Sequence, residues 1–117
     1  MTQLARMEEE HRGDLPIAHV IGEIDASNVD WLNSRLHGLV SNHSEGLIVD
    51  LSQTTYLDSA GIALLFSLAE TLRQRQQQLQ LVVREGSPIV RVVELTGLDA
   101  SLPTHPSLEA AVAAAGG

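Results

Sequence analysis

A chain of 117 residues with 15 acidic and 7 basic side chains, formal charge −8, is one domain long. It lacks the basic stripe that a nucleic-acid backbone requires. All seven cations are arginines, no lysine occurs, and the absence of cysteine excludes disulfides, thiolate chemistry and cysteine-ligated zinc.

Hydrophobic residues make up 44% of the chain but the aromatics are only Trp31, Tyr56 and Phe66, so an aliphatic core is expected. Residues 1–14 read as an N-terminal segment, with a candidate edge strand over Thr2–Met7 and a turn-rich stretch over Glu8–Asp14. A single domain follows over 15–117. Leu15–Ile24 (LPIAHVIGEI) reads as a strand, with Pro16 near its start where a missing donor is tolerated. Ser27 or Asp25 is placed to cap a helix from about Asn28 to Ser41, in which Val29, Leu32, Leu36, Leu39 and Val40 form one apolar stripe.

After the break at Ser44–Gly46, Leu47–Leu51 has the continuous apolar character of a strand buried on both faces, with Asp50 inside it. A polar turn is expected over Ser52–Tyr56. The segment Leu57-Asp58-Ser59-Ala60-Gly61 then leads into a helix from about Ala60 to Gln76, whose Ile62, Leu65, Leu68, Ala69 and Leu72 mark one apolar helical face. Leu79–Val83 is a further buried strand. Ser87-Pro88 opens a helix that Gly97 ends, Leu102–His105 reads as a last short strand, and Ser107–Ala115 as a terminal helix. The alternation predicts an α/β fold with a partly parallel sheet, in which functional groups gather where strands hand over to helices. Asp25, Asp50, Asp58 and Ser59 lie at such places.

Met1–Glu10 carries three consecutive acids where a secretory leader would need a charged-then-apolar stretch, and Ile62–Ala69, the longest apolar run, is too short to cross a bilayer. A cytoplasmic protein without membrane insertion is expected.

Several chemistries fit poorly. A nucleophile elbow G-x-S-x-G would need glycine where Leu57 stands, and only His105 follows Ser59 as a candidate base. A phosphoaspartate receiver resembles the bacterial response-regulator type, which depends on a lysine that this chain lacks. No phosphate-binding glycine loop occurs, and His11, His19, His37, His43 and His105 show no i, i+4 pairing suited to a metal. Ser59 keeps two readings: with Asp58, a plain helix cap, or a modifiable hydroxyl at a helix mouth where free N–H groups and the dipole tolerate added negative charge.

Leu57-Asp58-Ser59-Ala60-Gly61-Ile62 closely resembles the D-S-[SAT]-G-[LIV] motif of STAS domains, the anti-sigma factor antagonist (anti-anti-sigma factor) family. Gly22-Glu23-Ile24-Asp25 is similar to the family's G-E-[LIV]-D turn, Val49-Asp50-Leu51-Ser52 to the strand before the motif, and Ser87–Leu98 to its third helix. The resemblance spans about Pro16 to Val112. It implies a STAS (SpoIIAA-like) fold: a mixed sheet of four to five strands with about four helices. It also implies a regulatory protein rather than an enzyme, with no cofactor or metal of its own. In that scheme the unmodified protein binds an anti-sigma factor serine kinase and frees a sigma factor, phosphorylation of Ser59 switches binding off, and a PP2C-type phosphatase restores it. Asp25, Ser27, Asn28, Asp58, Ala60, Gly61 and Ile62 are the expected partner-binding residues, Gly61 permitting close approach at the helix start. A scaffold role in a stressosome-like or lipid-transport complex is the alternative, and a serine hydrolase a further one.

Overall fold

The structure, a computed structural model, describes residues 4–116. Its centre is β2 (Leu15–Ile24), ten residues long, which makes three partnerships. β1 (Ala5–Arg12) runs antiparallel along its whole length, from Ala5 opposite Gly22 to Arg12 opposite Leu15. β3 (Gly46–Asp50) lies parallel to its first half, pairing Ile17–His19 with Ile48–Asp50. β4 (Thr54–Leu57) lies parallel to its end, where Glu23 and Ile24 face Tyr56 and Leu57. Beyond β3 come β5 (Gln78–Val82) and the two-residue β6 (Thr104–His105), both parallel.

Four helices cover one face: α1 (Val29–Leu39), α2 (Ser59–Gln74), α3 (Val90–Leu95) and α4 (Leu98–Ser101). Their buried members Leu32, Leu36, Leu65, Leu68, Leu72 and Val93 close over Val20, Val49 and Leu81 of the sheet in one aliphatic core. α5 (Leu108–Gly116) covers part of the other face, where Ala111 packs with Ile17, Ile48 and Val82. Strand residues thus alternate between two layers, as the two-residue period of a strand requires. No helix among the described residues is long and apolar enough to cross a membrane.

The expected elements over Leu15–Ile24, Leu47–Leu51, Leu79–Val83 and the helices are present with ends moved by a few residues. Among the described residues the sheet has six strands, with β4 the one not expected, and there are five helices, with α4 the one not expected. Glu8–Asp14 is not turn-rich: the strand runs through Arg12, and only Gly13-Asp14 turn. Its hydrogen bonds to β2 outweigh the poor strand propensity of three glutamates on an edge. Thr2, where the expected strand began, lies outside the described residues. The polar turn expected over Ser52–Tyr56 is also corrected, because Thr54–Leu57 is β4.

That correction depends on β2 being longer than β3. At Gly22 the ladder changes partner, with a bulge between Gly22 and Glu23. Gly22 has φ +109°, and a Cβ there would meet the Leu4 carbonyl oxygen at 2.3 Å, so only glycine suits the bend. The Thr54 hydroxyl, fully buried, donates to the Val20 carbonyl at 2.8 Å and pins β4 in place.

Candidate functional site

The parallel pairing of β2 and β4 ends at Ile24 opposite Leu57, so the two following loops leave the sheet side by side. The first loop carries Asp25–Asn28 into α1; the second carries Asp58 into α2. The Asp58 N–H donates to the Ile24 carbonyl at 3.2 Å, which closes the gap between the strand ends.

Asp58 is the cap of α2. Its Oδ1 accepts the Gly61 N–H at 3.0 Å, satisfying one of the free donors of the first turn. Its Oδ2 accepts the Ala26 N–H at 3.2 Å, so a single carboxylate holds both loops. Of the two caps considered for this helix, Asp58 therefore takes the role and Ser59 does not. Ser59 is the first helical residue and is exposed, and no side chain among the described residues hydrogen-bonds its hydroxyl.

The first loop is organised by its own side chains. Asp25 Oδ1 accepts both the Ser27 N–H at 2.8 Å and the Ser27 hydroxyl. Asn28 Oδ1 accepts the Asp25 N–H at 3.1 Å, and its Nδ2 donates to the Glu23 carbonyl at 2.8 Å. Asn28, not Ser27 or Asp25, occupies the cap position of α1, and it makes no side-chain cap bond. Its side chain faces back into the loop and fixes the path of Asp25. Asp25 is partly exposed and Ser27 exposed.

Gly61 is buried at the foot of α2, where a Cβ would lie 2.5 Å from Leu57 Cδ1 and 3.0 Å from Ile24 Cγ2. The helix thus rests directly on the ends of β2 and β4. Ile62 is a correction to its expected place on a contact surface: at 6% exposure it belongs to the aliphatic core, because the first turn of α2 presses it inward. Ala60 is half-buried. Asp50 stands apart from this cluster, hydrogen-bonded to His19 and Ser52. His105, the one histidine after Ser59, is hydrogen-bonded to Gln80 at 2.8 Å.

Two surface residues escaped the sequence reading. Tyr56, three positions before Ser59, is 48% exposed, and Leu95 on α3 is 73% exposed. With Thr55, Pro88, Arg91 and Val92 they border an open apolar cavity of about 350 Å³ between β4 and α3. A tyrosine beside the Asp-Ser pair, in a chain with three aromatics, was the available signal. Leu95 had none, since it falls on an expected helix whose outward face only packing reveals.

Ser59 is therefore a free hydroxyl at a helix mouth, between loops that carry two aspartates. Among the described residues neither Asp25 nor Asp58 forms an ion pair. The site can receive a charged group without breaking a bond of the fold.

The STAS domain family model matches residues 6–111. Anti-sigma-F factor antagonist RsfA of Mycobacterium tuberculosis is 30% identical over 107 residues, covering 90% of this chain and 83% of its own. The anti-sigma-B factor antagonist of Listeria monocytogenes is 35% identical over 81 residues, 68% of each chain. The crystal structure of an anti-sigma factor antagonist from Mycobacterium paratuberculosis superposes with a TM-score of 0.86 at 27% identity, over 97% of this chain and 95% of that one.

Proposed function

This chain belongs to the STAS domain family, and from that premise we propose that it acts as an anti-sigma factor antagonist whose docking face is switched by phosphorylation of Ser59. The names of the relatives in Mycobacterium and Listeria support the first half of this reading. The observation that carries the second half is the exposed Ser59 hydroxyl at the mouth of α2, which the fold leaves unused while Asp58 does the capping.

The unmodified protein binds an anti-sigma factor that is also a serine kinase, through Ser59, Asp25, Ser27 and Ala60 at the loop ends. Tyr56 and Leu95 supply the apolar contact that such a polar patch lacks. Asp58, Asn28 and Gly61 act indirectly, by holding the loops and seating the helix. Ile62 contributes from the core.

Phosphorylation would add about −1.5 to −2 charge at neutral pH. The α2 dipole and the free first-turn N–H groups accommodate it, so the fold persists. Among the described residues no arginine is paired with Asp25 or Asp58 to neutralise it, and the docking face becomes strongly anionic. Docking then fails by charge repulsion and desolvation. A PP2C-type phosphatase resets the switch.

The test is binding to the cognate kinase, measured by titration calorimetry for Ser59→Ala and Ser59→Asp. The alanine variant should bind and resist phosphorylation, and the aspartate variant should lose most of its affinity. Intact-mass analysis of wild type incubated with kinase and ATP should find one added phosphate, located at Ser59 by fragmentation. Equal binding by the two variants, or a phosphate elsewhere, would overturn the switch.

A further inference from the structure

A second group of ionisable side chains lies on the α5 side of the sheet, and the proposed switch does not use it. His19 of β2 stands between two carboxylates from the strands on either side. Its Nδ1 is 2.7 Å from Asp50 Oδ2 on β3, and its Nε2 is 2.8 Å from Glu10 Oε1 on β1. Asp50 is buried, and its other oxygen accepts the Ser52 N–H at 2.9 Å. The other oxygen of Glu10 accepts from Arg12 Nε at 2.7 Å, and Arg12 in turn lies 3.7 Å from Glu109 on α5. Glu8 faces His19 directly across the β1–β2 ladder.

Proton counting decides the state of this triad. An ionised carboxylate can only accept, and a neutral imidazole has a single N–H to give. Two contacts of this length are both hydrogen bonds only when both ring nitrogens carry hydrogen, or when a carboxyl group retains its proton. Burial opposes the charged ring and is the largest single influence on it. The hydrogen bonds to Glu10 and Asp50, with the attraction of both carboxylates, together outweigh burial and hold the His19 pKa above the ordinary histidine value. The bond to His19, then that to Arg12, holds Glu10 below the usual carboxylate range. Below a pH of about 6.5 the ring therefore carries both hydrogens.

We propose that His19 is a pH-operated clamp across three strands, closed when its imidazolium bridges Glu10 and Asp50 and opened when the ring loses its proton. β1 is an edge strand whose ladder runs to β2 alone, so the clamp is what ties it onward to β3. Opening leaves Glu8, Glu10 and Asp50 around a ring with one N–H, and the outer half of β1 loses its hold.

The sign follows from the direction of the shift. A pKa raised in the folded state gives stability that is complete below the unfolded histidine value of about 6.5 and is lost as pH rises through the folded value. On the acid side the Glu10 arm of the clamp is lost when Glu10 takes a proton, below the usual carboxylate range. The clamp is therefore closed below a pH of about 6.5 and opens as pH rises through the raised His19 value.

NMR titration of the full chain tests this without any variant. At a pH of about 6.5 both His19 ring nitrogens should show the protonated signature, and the midpoint should lie above that value. Amide exchange at Glu8–Arg12, corrected for its intrinsic pH dependence, should show loss of protection across the same midpoint. In His19→Gln that step should vanish, and in Glu10→Gln/Asp50→Asn the His19 midpoint should fall. A single neutral tautomer at that pH, a midpoint at or below the ordinary value, or an exchange step that persists in His19→Gln would overturn the clamp. None of these readouts involves the kinase, so their failure would leave the Ser59 switch untouched.

Discussion

Asp58 and Ala26 come from different loops and are joined by a hydrogen bond of 3.2 Å, from the Ala26 N–H to Asp58 Oδ2. The same carboxylate caps α2 through Gly61. One side chain thus sets both the start of the helix that presents Ser59 and its distance from the loop that carries Asp25.

Asp58→Ala should therefore lose a cap and a tie together, at a cost of about 1–2 kcal/mol. Asp58→Asn keeps an oxygen for Gly61 and caps nearly as well, so it should recover most of that stability. Urea unfolding of the two variants, with unchanged slope, checks the comparison. Equal loss in both would mean that charge, not capping, is what Asp58 supplies.

Two helical glycines should respond in opposite directions to alanine. At Gly38 in α1 a Cβ meets nothing within 4 Å, so Gly38→Ala should stabilise by about 0.5–1 kcal/mol through helix propensity. At Gly61 the Cβ would press on Leu57 and Ile24. Overpacking of about 1–3 kcal/mol then exceeds the propensity gain, and Gly61→Ala should lower stability, with Gly61→Val worse. A stabilised Gly61→Ala would show that Leu57 can give way.

Ser59→Asp should separate fold from function. The residue is exposed at the first turn of α2, where an acid interacts favourably with the helix dipole by about 0.3–1 kcal/mol. Its melting temperature should match or slightly exceed wild type while kinase binding is lost. A variant that bound poorly because it was unfolded would lose its circular dichroism melt and contradict this expectation.

Leu65 and Leu95 make a matching contrast. Leu65 lies on the buried face of α2, and Leu65→Ala should cost about 2–5 kcal/mol. Leu95 is largely exposed, so Leu95→Ala should stay within about 0.5 kcal/mol of wild type in unfolding experiments. Its effect should instead appear as weaker binding to the kinase; unchanged affinity would remove α3 from the proposed docking face.

The amino-acid order alone was enough for the elements whose signal is local. β2, β3 and β5 show as β-branched or continuous apolar runs, and α1 and α2 as apolar stripes of helical period, because burial of one face or both is written into spacing along a single segment. The Gly-Glu-Ile-Asp and Asp-Ser-Ala-Gly stretches marked the two loops for the same reason: each is contiguous. What only the tertiary structure decided depends on neighbours distant in the chain. Thr54–Leu57 becomes a strand because β2 outruns β3 and bares an edge at Glu23–Ile24. Gly61 is left no room for a side chain because the foot of α2 sits against Leu57 and Ile24. The partner of Asp58 is the backbone N–H of Ala26, a donor that every residue but proline carries and that no side-chain pattern announces. His19 acquires its two carboxylates only when three strands align in register, since pairing between strands is a long-range choice that no short window of residues contains.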